Sequence, residues 1–191
     1  MHMLWRTLLH IWLWSRRQPR LGHYDVARTR FVTLPTDLDM NRHMNNGKFF
    51  SIMDIARTDM IVRTGVWTIF RARGWYPVVV AETLSFRKSL KLWQRFTIES
   101  RVLGFDDKAA IVEQRFVVRD ASGQPEIYAR GFVRARFLKR TGGTVSNAEL
   151  IDAIGAAPQP LPQWIHDWAA HTSLPASRAE APSLWDDPQH G

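Results

Sequence analysis

Within the segment Pro35 to Asn46, reading PTDLDMNRHMNN, stand Asp37, Asp39, Asn41, His43, Asn45 and Asn46. These types at this spacing can do chemistry. A carboxylate attacks a carbonyl carbon or takes a proton from water. A histidine two or four residues away orients that water or passes a proton. An asparagine holds a carbonyl or a water in place. After the segment, Phe49, Ile52, Met53, Ala56, Met60 and Ile61 recur at three and four, which predicts a helix over Gly47 to Thr64 with one apolar face. The first N–H groups of a helix have no internal partner and carry the positive end of its dipole, so they can polarise a carbonyl and stabilise an oxyanion. Asp and Asn are also the residues that build turns and cap helices, and Asn45 or Asn46 is a natural N-cap. Composition alone leaves both uses open.

The surrounding elements must hold this loop in place. Alternation over Arg28 to Leu34 predicts a strand that Pro35 ends. Gly65 is a natural stop for the long helix, and a short helical or irregular piece, Val66 to Arg73, leads to Gly74. Four strands come next: Pro77 to Arg87, Phe96 to Phe105, Ala109 to Arg119 and Ile127 to Leu138. The run Val78-Val79-Val80 reads as a strand covered on both faces. Ser146 with Glu149 forms a capping-box pattern that opens a short helix ending at Gly155. Pro158, Pro160 and Pro162 stiffen the next stretch, Gln163 to His171 is one more short helix, and a poorly ordered tail is expected from Pro175. One strand, a long helix, then four strands pack most simply as an antiparallel sheet wrapped around a single central helix, an α+β fold. The expected layout is an amphipathic segment over 1–22, the main domain over 23–140 and short helices with a Pro-rich tail over 141–191.

Composition narrows the function. The chain of 191 residues has a formal charge of +8, no cysteine, and 21 Arg against 5 Lys among its 26 basic residues. Without cysteine there is no disulfide, no Cys-based zinc or iron–sulfur site and no thiol nucleophile, which fits a cytoplasmic setting. No GxSxG, P-loop, GxGxxG or HExxH occurs. His166 and His171 lie five apart with no third ligand nearby in sequence, so no metal site is expected. Arginine forks match phosphate oxygens and bring phosphate-bearing partners forward. The basic residues are spread along the strands, however, and nucleic acid is not an expected partner. Met1 to Trp14 is too short to span a bilayer. Trp5, Trp12 and Trp14 with Arg16, Arg17 and Arg20 suit an anionic membrane surface, and a helix docked on the protein's own surface is the alternative.

Asp39-Met40-Asn41-Arg42-His43-Met44-Asn45-Asn46, then Phe49, resembles the D-x-N-x-H-x-N-N signature of hotdog-fold thioesterases. The branch around 4-hydroxybenzoyl-CoA thioesterase has an Asp at the position matching Asp39. Ala56-Arg57, Phe86 to Leu90 and Gly104 to Lys108 are similar to extended thioesterase-superfamily proteins of bacteria and animals. The likeness covers roughly Tyr24 to Lys139, with a fainter echo over Leu161 to Ala170. It implies a hotdog fold and hydrolysis of an acyl-coenzyme A or acyl-carrier-protein thioester. It also implies a homodimer or dimer of dimers with the active site at the interface. Asp39 is then the nucleophile or general base, Asn41 positions substrate or water, and His43 assists as an acid–base or hydrogen-bonding group. Asn45 and Asn46 stand at the helix start against the substrate. Arg87 and Lys88, ending a strand, are candidates for the coenzyme A phosphates. No metal or bound cofactor is implied, coenzyme A entering only with the substrate.

The plant enzymes of this group carry a further acidic residue where this chain has Ser89, and Glu82 lies seven residues too early to replace it. That departure leaves the simpler mechanism of Asp plus helix. It also keeps two rivals, a non-catalytic acyl-binding or membrane-associated module and a hotdog hydratase or dehydratase. Asp54 and Arg57, three apart on the helix, read as an ordinary intrahelical ion pair. Trp67, Trp75 and Trp93 read as core or dimer-interface residues.

Overall fold

A computed structural model describes residues 5, 7–9, 13–175 and 177–181. Five strands, β1 (Ala27–Val32), β2 (Trp75–Phe86), β3 (Arg95–Phe105), β4 (Ala110–Arg119) and β5 (Pro125–Lys139), form one sheet in the order β1-β3-β4-β5-β2. Every pairing is antiparallel. The long helix α1 (Asn46–Arg63) lies against one face, followed by α2 (Val66–Arg73) and, after the sheet, by α3 (Asn147–Ile154) and α4 (Gln163–His171). This is the hotdog arrangement expected, with β1 joined to the others beside β3.

The expected periodicity of α1 holds. Phe49, Ile52, Met53, Ala56 and Met60 are buried against Phe96, Ile98, Phe116 and Val133 of the sheet. Fully burying side chains of this size contributes about 1.5–3 kcal/mol each. The helix sits close to β5 because position 131 is glycine. A Cβ there would stand 2.8 Å from Met53 Cε and 2.9 Å from the Thr83 carbonyl oxygen. Polar ties reach α1 as well. Asp59, fully buried, accepts a 2.8 Å hydrogen bond from Thr29 Oγ1 of β1.

One expectation needs correction. The run Val78-Val79-Val80 is not covered on both faces: β2 pairs with β5 alone, and Val79 and Val80 are 40% and 42% exposed. The ladder slips between Val79 and Ala81, leaving Val80 outside it as a bulge, a common feature of edge strands. An apolar run marks strand tendency, and only the sheet order decides whether a neighbour covers it. Of the three tryptophans, only Trp75 is core, with Phe70 6.5 Å away and Arg73 over its ring. Trp67 and Trp93 are exposed in the protomer.

At the amino end, Ser15 is buried in a 3₁₀ turn (Ser15–Arg17), and Arg63 Nε donates to the Pro19 carbonyl at 3.3 Å. Trp5, Leu8, Leu9, Leu13 and Trp14 are exposed, while the rest of the expected amphipathic stretch lies outside the described residues. Among the described residues, no helix is long and apolar enough to cross a membrane. The expected loose tail falls mostly on residues 182–191, which also lie outside the description.

One residue, Asp106, fastens the far end of the sheet to the helix after it. Asp106 Oδ1 accepts the N–H groups of Lys108 (2.8 Å) and Ala109 (2.9 Å), closing the β3–β4 turn. Its Oδ2 pairs with Arg134 Nε of β5 at 2.5 Å. The Asn147 side chain, at the start of α3, donates to the Asp106 carbonyl oxygen. Burial by itself would raise the Asp106 carboxyl, but the Arg134 hydrogen bond and the two amides outweigh it and hold it below the ordinary carboxylate value. A folded value below the unfolded one adds stability that is fully present above the unfolded value. It is lost as pH falls through the folded one. Asp106→Asn is therefore expected to lower stability at neutral pH and to flatten the loss on the acid side. Urea midpoints measured from pH 7 down to pH 3 check this.

Candidate active site

The loop between β1 and α1 is built by local hydrogen bonds. A 3₁₀ turn (Pro35–Asp37) buries Asp37, whose Oδ2 accepts the Leu34 N–H at 2.9 Å and whose carbonyl accepts the Asn45 N–H at 2.9 Å. Leu38 pairs with Met44, so the residues between form a small hairpin. Asp39 N–H donates to the His43 carbonyl (2.9 Å) and Arg42 N–H to the Asp39 carbonyl (3.1 Å). Arg42 has φ +60°, the left-handed conformation that closes a three-residue hairpin loop. For a non-glycine residue this costs about 1 kcal/mol or more, and it persists where the surroundings leave no alternative. Here Met44 N–H donates to the Leu90 carbonyl, and His43 is bridged to Lys91.

Asp39 is half-buried. Its Oδ1 accepts the backbone N–H of Asn41 at 2.8 Å and of His43 at 3.4 Å. Its Oδ2 takes no hydrogen bond among the described residues. The residue builds the turn with one oxygen and leaves the other without a protein partner among the described residues. The His43 ring is likewise unbonded among the described residues, and Asn41 is exposed. Asn45 is the N-cap: its Oδ1 accepts the Gly47 N–H at 2.9 Å and its carbonyl the Lys48 N–H at 2.8 Å. Asn46 opens α1, and its N–H keeps no protein partner among the described residues.

Arg87 and Lys88 belong to the same corner. The Phe86 ring meets Phe49, in the first turn of α1, edge-on at 5.0 Å. The N–H groups of Arg87 and Lys88 both donate to the Tyr128 carbonyl. Gln94 Nε2 donates to the Tyr128 hydroxyl (3.4 Å), and Gln94 Oε1 accepts the N–H of Lys91, the residue bridged to His43. The two cations are engaged already. The Arg87 guanidinium pairs with Glu126, and Lys88 Nζ is 2.7 Å from the same carboxylate. The Lys88 hydrogen bond, with the Arg87 charge, holds the Glu126 carboxyl below its ordinary value.

Halfway along α1 lies a cluster that sequence reading missed. Arg57 makes the expected pair with Asp54, and its Nη1 also donates to Glu82 Oε1 (2.8 Å) and Gln114 Oε1 (2.7 Å). Gln114, fully buried on β4, donates from Nε2 to Ser100 Oγ (2.9 Å) and to the Met53 carbonyl (3.1 Å). Burial pushes the Glu82 carboxyl above its ordinary value, with Arg57 pulling against it. The one signal in the sequence was a lone Glu inside the run VVVAETLSF, whose partners lie 25 and more residues away.

The sequence pattern of one protein family, described as a thioesterase-like superfamily, matches residues 33–169. The chain belongs to that superfamily. Among curated members, a protein named THEM6 from Xenopus laevis is 42% identical over 86 residues, which cover 45% of this chain and 42% of that one. THEM6 of Danio rerio is 32% identical over 117 residues, covering 60% and 58%. The matched regions thus span about half the length of these relatives. Among solved structures, a variant of 4-hydroxybenzoyl-CoA thioesterase complexed with 4-hydroxybenzoyl-CoA superposes with a TM-score of 0.61 at 14% identity. It covers 68% of this chain and 98% of its own. A probable thioesterase of Escherichia coli, YbaW, gives a TM-score of 0.60 at 21% identity, covering 67% and 96%. At such identities these two structures speak for the fold alone.

In this thioesterase-like chain the Arg57 cluster locks α1 to β2 and β4. Removing its buried hub takes one hydrogen bond from Arg57, which keeps Glu82 and Asp54, and leaves the Ser100 hydroxyl without its Gln114 partner. Gln114→Leu is expected to destabilise the protein by about 2–3 kcal/mol, read as a lower urea midpoint at unchanged slope.

Proposed function

We propose that this protein is an acyl-CoA thioesterase, releasing free acid and coenzyme A. The observation that carries the reading is that, among the described residues, Asp39 Oδ2 is free in the hairpin that leads into α1 and the first amide of that helix, that of Asn46, is unpartnered. Asp39 takes a proton from water as the oxygen adds to the thioester carbonyl carbon, or attacks that carbon itself and is freed by water afterwards. The Asn46 N–H and the helix dipole stabilise the oxyanion. When the carbon–sulfur bond breaks, a proton returns to the thiolate. Asn41 positions substrate or water, and His43 assists that proton transfer. Arg87 and Lys88 turn from Glu126 to the coenzyme A phosphates, a change of partner between two anions. An acyl-carrier-protein thioester is the other substrate this corner suits. The steps use this chain's own residues and the coenzyme A of the substrate.

The unpaired edge of β2 supports pairing of two copies into a dimer with one continuous sheet. The exposed Trp5, Leu8, Leu9, Leu13 and Trp14, with the basic residues just after them, support a cytoplasmic protein that touches the membrane surface through residues 1–17.

Thiol release from a panel of acyl-CoAs tests the activity. Asp39→Asn is expected to reduce kcat at least 100-fold with folding intact, and Arg87→Ala to raise KM and leave kcat nearly unchanged. No turnover of any CoA or carrier-protein thioester by the folded wild type would replace this reading with a non-catalytic acyl-binding module. Product that keeps its thioester bond would indicate a hydratase. Flotation with anionic liposomes tests the membrane contact, which is expected to be lost on deleting residues 1–20.

A further inference from the structure

A cavity of about 190 Å³ lies away from the Asp39 loop, along the second half of α1. Met60 and Ile61 of α1, Phe70 of α2, Val112 of β4 and Phe137 of β5 are among its walls. At one end stand Asp54, Arg57 and Thr58 of α1, and Pro77 and Val79 of the β2 edge line another part of the wall. The Asp54 side chain is 68% exposed, so this end meets water. Beyond the walls, Leu150 and Ile154 of α3 also line the space. The Tyr24 hydroxyl donates to the Ala157 carbonyl and draws the segment after α3 onto the chain before β1.

A dry apolar cavity of about 150 Å³ takes a benzene ring, about 25 Å³ per carbon, so 190 Å³ houses roughly seven or eight carbons. The lining runs from Asp54 to Thr64, about 15 Å of helix at 1.5 Å per residue. A volume this small spread along that length suits an unbranched chain better than a ring. We propose that the cavity holds the aliphatic chain of the substrate, and that α3, through Leu150 and Ile154, limits that chain to about eight carbons. The inference rests on the thioesterase reading for the reaction it serves, but the binding itself does not need hydrolysis. Asp54 stands about 12 Å along α1 from Asn46. On this reading the carbonyl of a chain seated here meets the Asp39 loop of a second copy, in the dimer along β2 proposed above.

Isothermal titration of the full chain with straight-chain fatty acids, from about six carbons to about sixteen, tests this directly. Affinity is expected to peak near eight carbons. Thr58→Phe, at a half-exposed helix position, narrows the mouth and is expected to weaken binding at least tenfold. Leu150→Ala opens the far wall and is expected to move the optimum by two carbons or more, with Ile154→Ala as the alternative if that variant does not fold. Absence of binding at every length, or a length profile that neither folded variant changes, overturns the proposal. Thiol release measured on the same samples separates the two ideas. Binding with the expected length shift but no turnover defeats only the thioesterase reading. Turnover with an unmoved length profile defeats only this one.

Discussion

The Arg57 guanidinium is the point on which the rest of the structure turns. A helix enclosed by a sheet can roll about its own axis at little cost in buried apolar area, because hydrophobic contact has no direction. Hydrogen bonds do have direction. Arg57 reaches Glu82 on the edge strand and Gln114 on an inner one, and Gln114 returns to the helix backbone at Met53. Asp59 and Thr29 make a second tie on the β1 side. With both made, the rotation of α1 is fixed, and so is the direction in which its first turn faces. A charge buried this deeply costs much desolvation, which its partners offset only if all of them are in place. The cluster thus gives the helix one orientation more than it adds stability.

That orientation gives the loop before α1 its meaning. The same residues serve as architecture with some atoms and leave others open for the chemistry proposed above. Asp39 closes the hairpin with Oδ1 and leaves Oδ2 free among the described residues. Asn45 caps with its side chain, so the neighbouring Asn46 amide is spared. The choice between a turn-building and a catalytic Asp39, posed by the sequence, was a choice between roles that one carboxylate can fill together. The left-handed Arg42 belongs to this economy, since it holds the hairpin tip in a shape that loop residues alone would not favour.

What could be read from the sequence was what depends on near neighbours. The three-and-four spacing of Phe49 to Ile61, the cap at Asn45, the stop at Gly65 and the Ser146 cap of α3 are all local chemistry, and all stand where expected. The Asp39 motif was legible for the same reason. Contacts between distant strands were not. The pairing of Arg87 and Lys88 with Glu126 spans 38 and more residues, and Glu82 meets Arg57 across 25. The exposure of Val79 and Val80 depends on β2 standing at the end of the sheet, which no stretch of the sequence encodes by itself. Burial comes from topology, and an apolar run carries only the preference for a strand.

Asp106 binds three pieces of chain that are far apart in sequence: its carboxylate holds the β3–β4 turn and the middle of β5, and its backbone carbonyl holds the first residue of α3. Such a knot makes the pieces open together or not at all. Amide hydrogens in the last turn of α3 then exchange with solvent on the timescale of the central strands, and not at the faster pace usual for a short helix appended to the end of a sheet. The elements after the sheet thereby share the cooperative unit of the domain, and the wall they form moves only when the sheet itself comes apart.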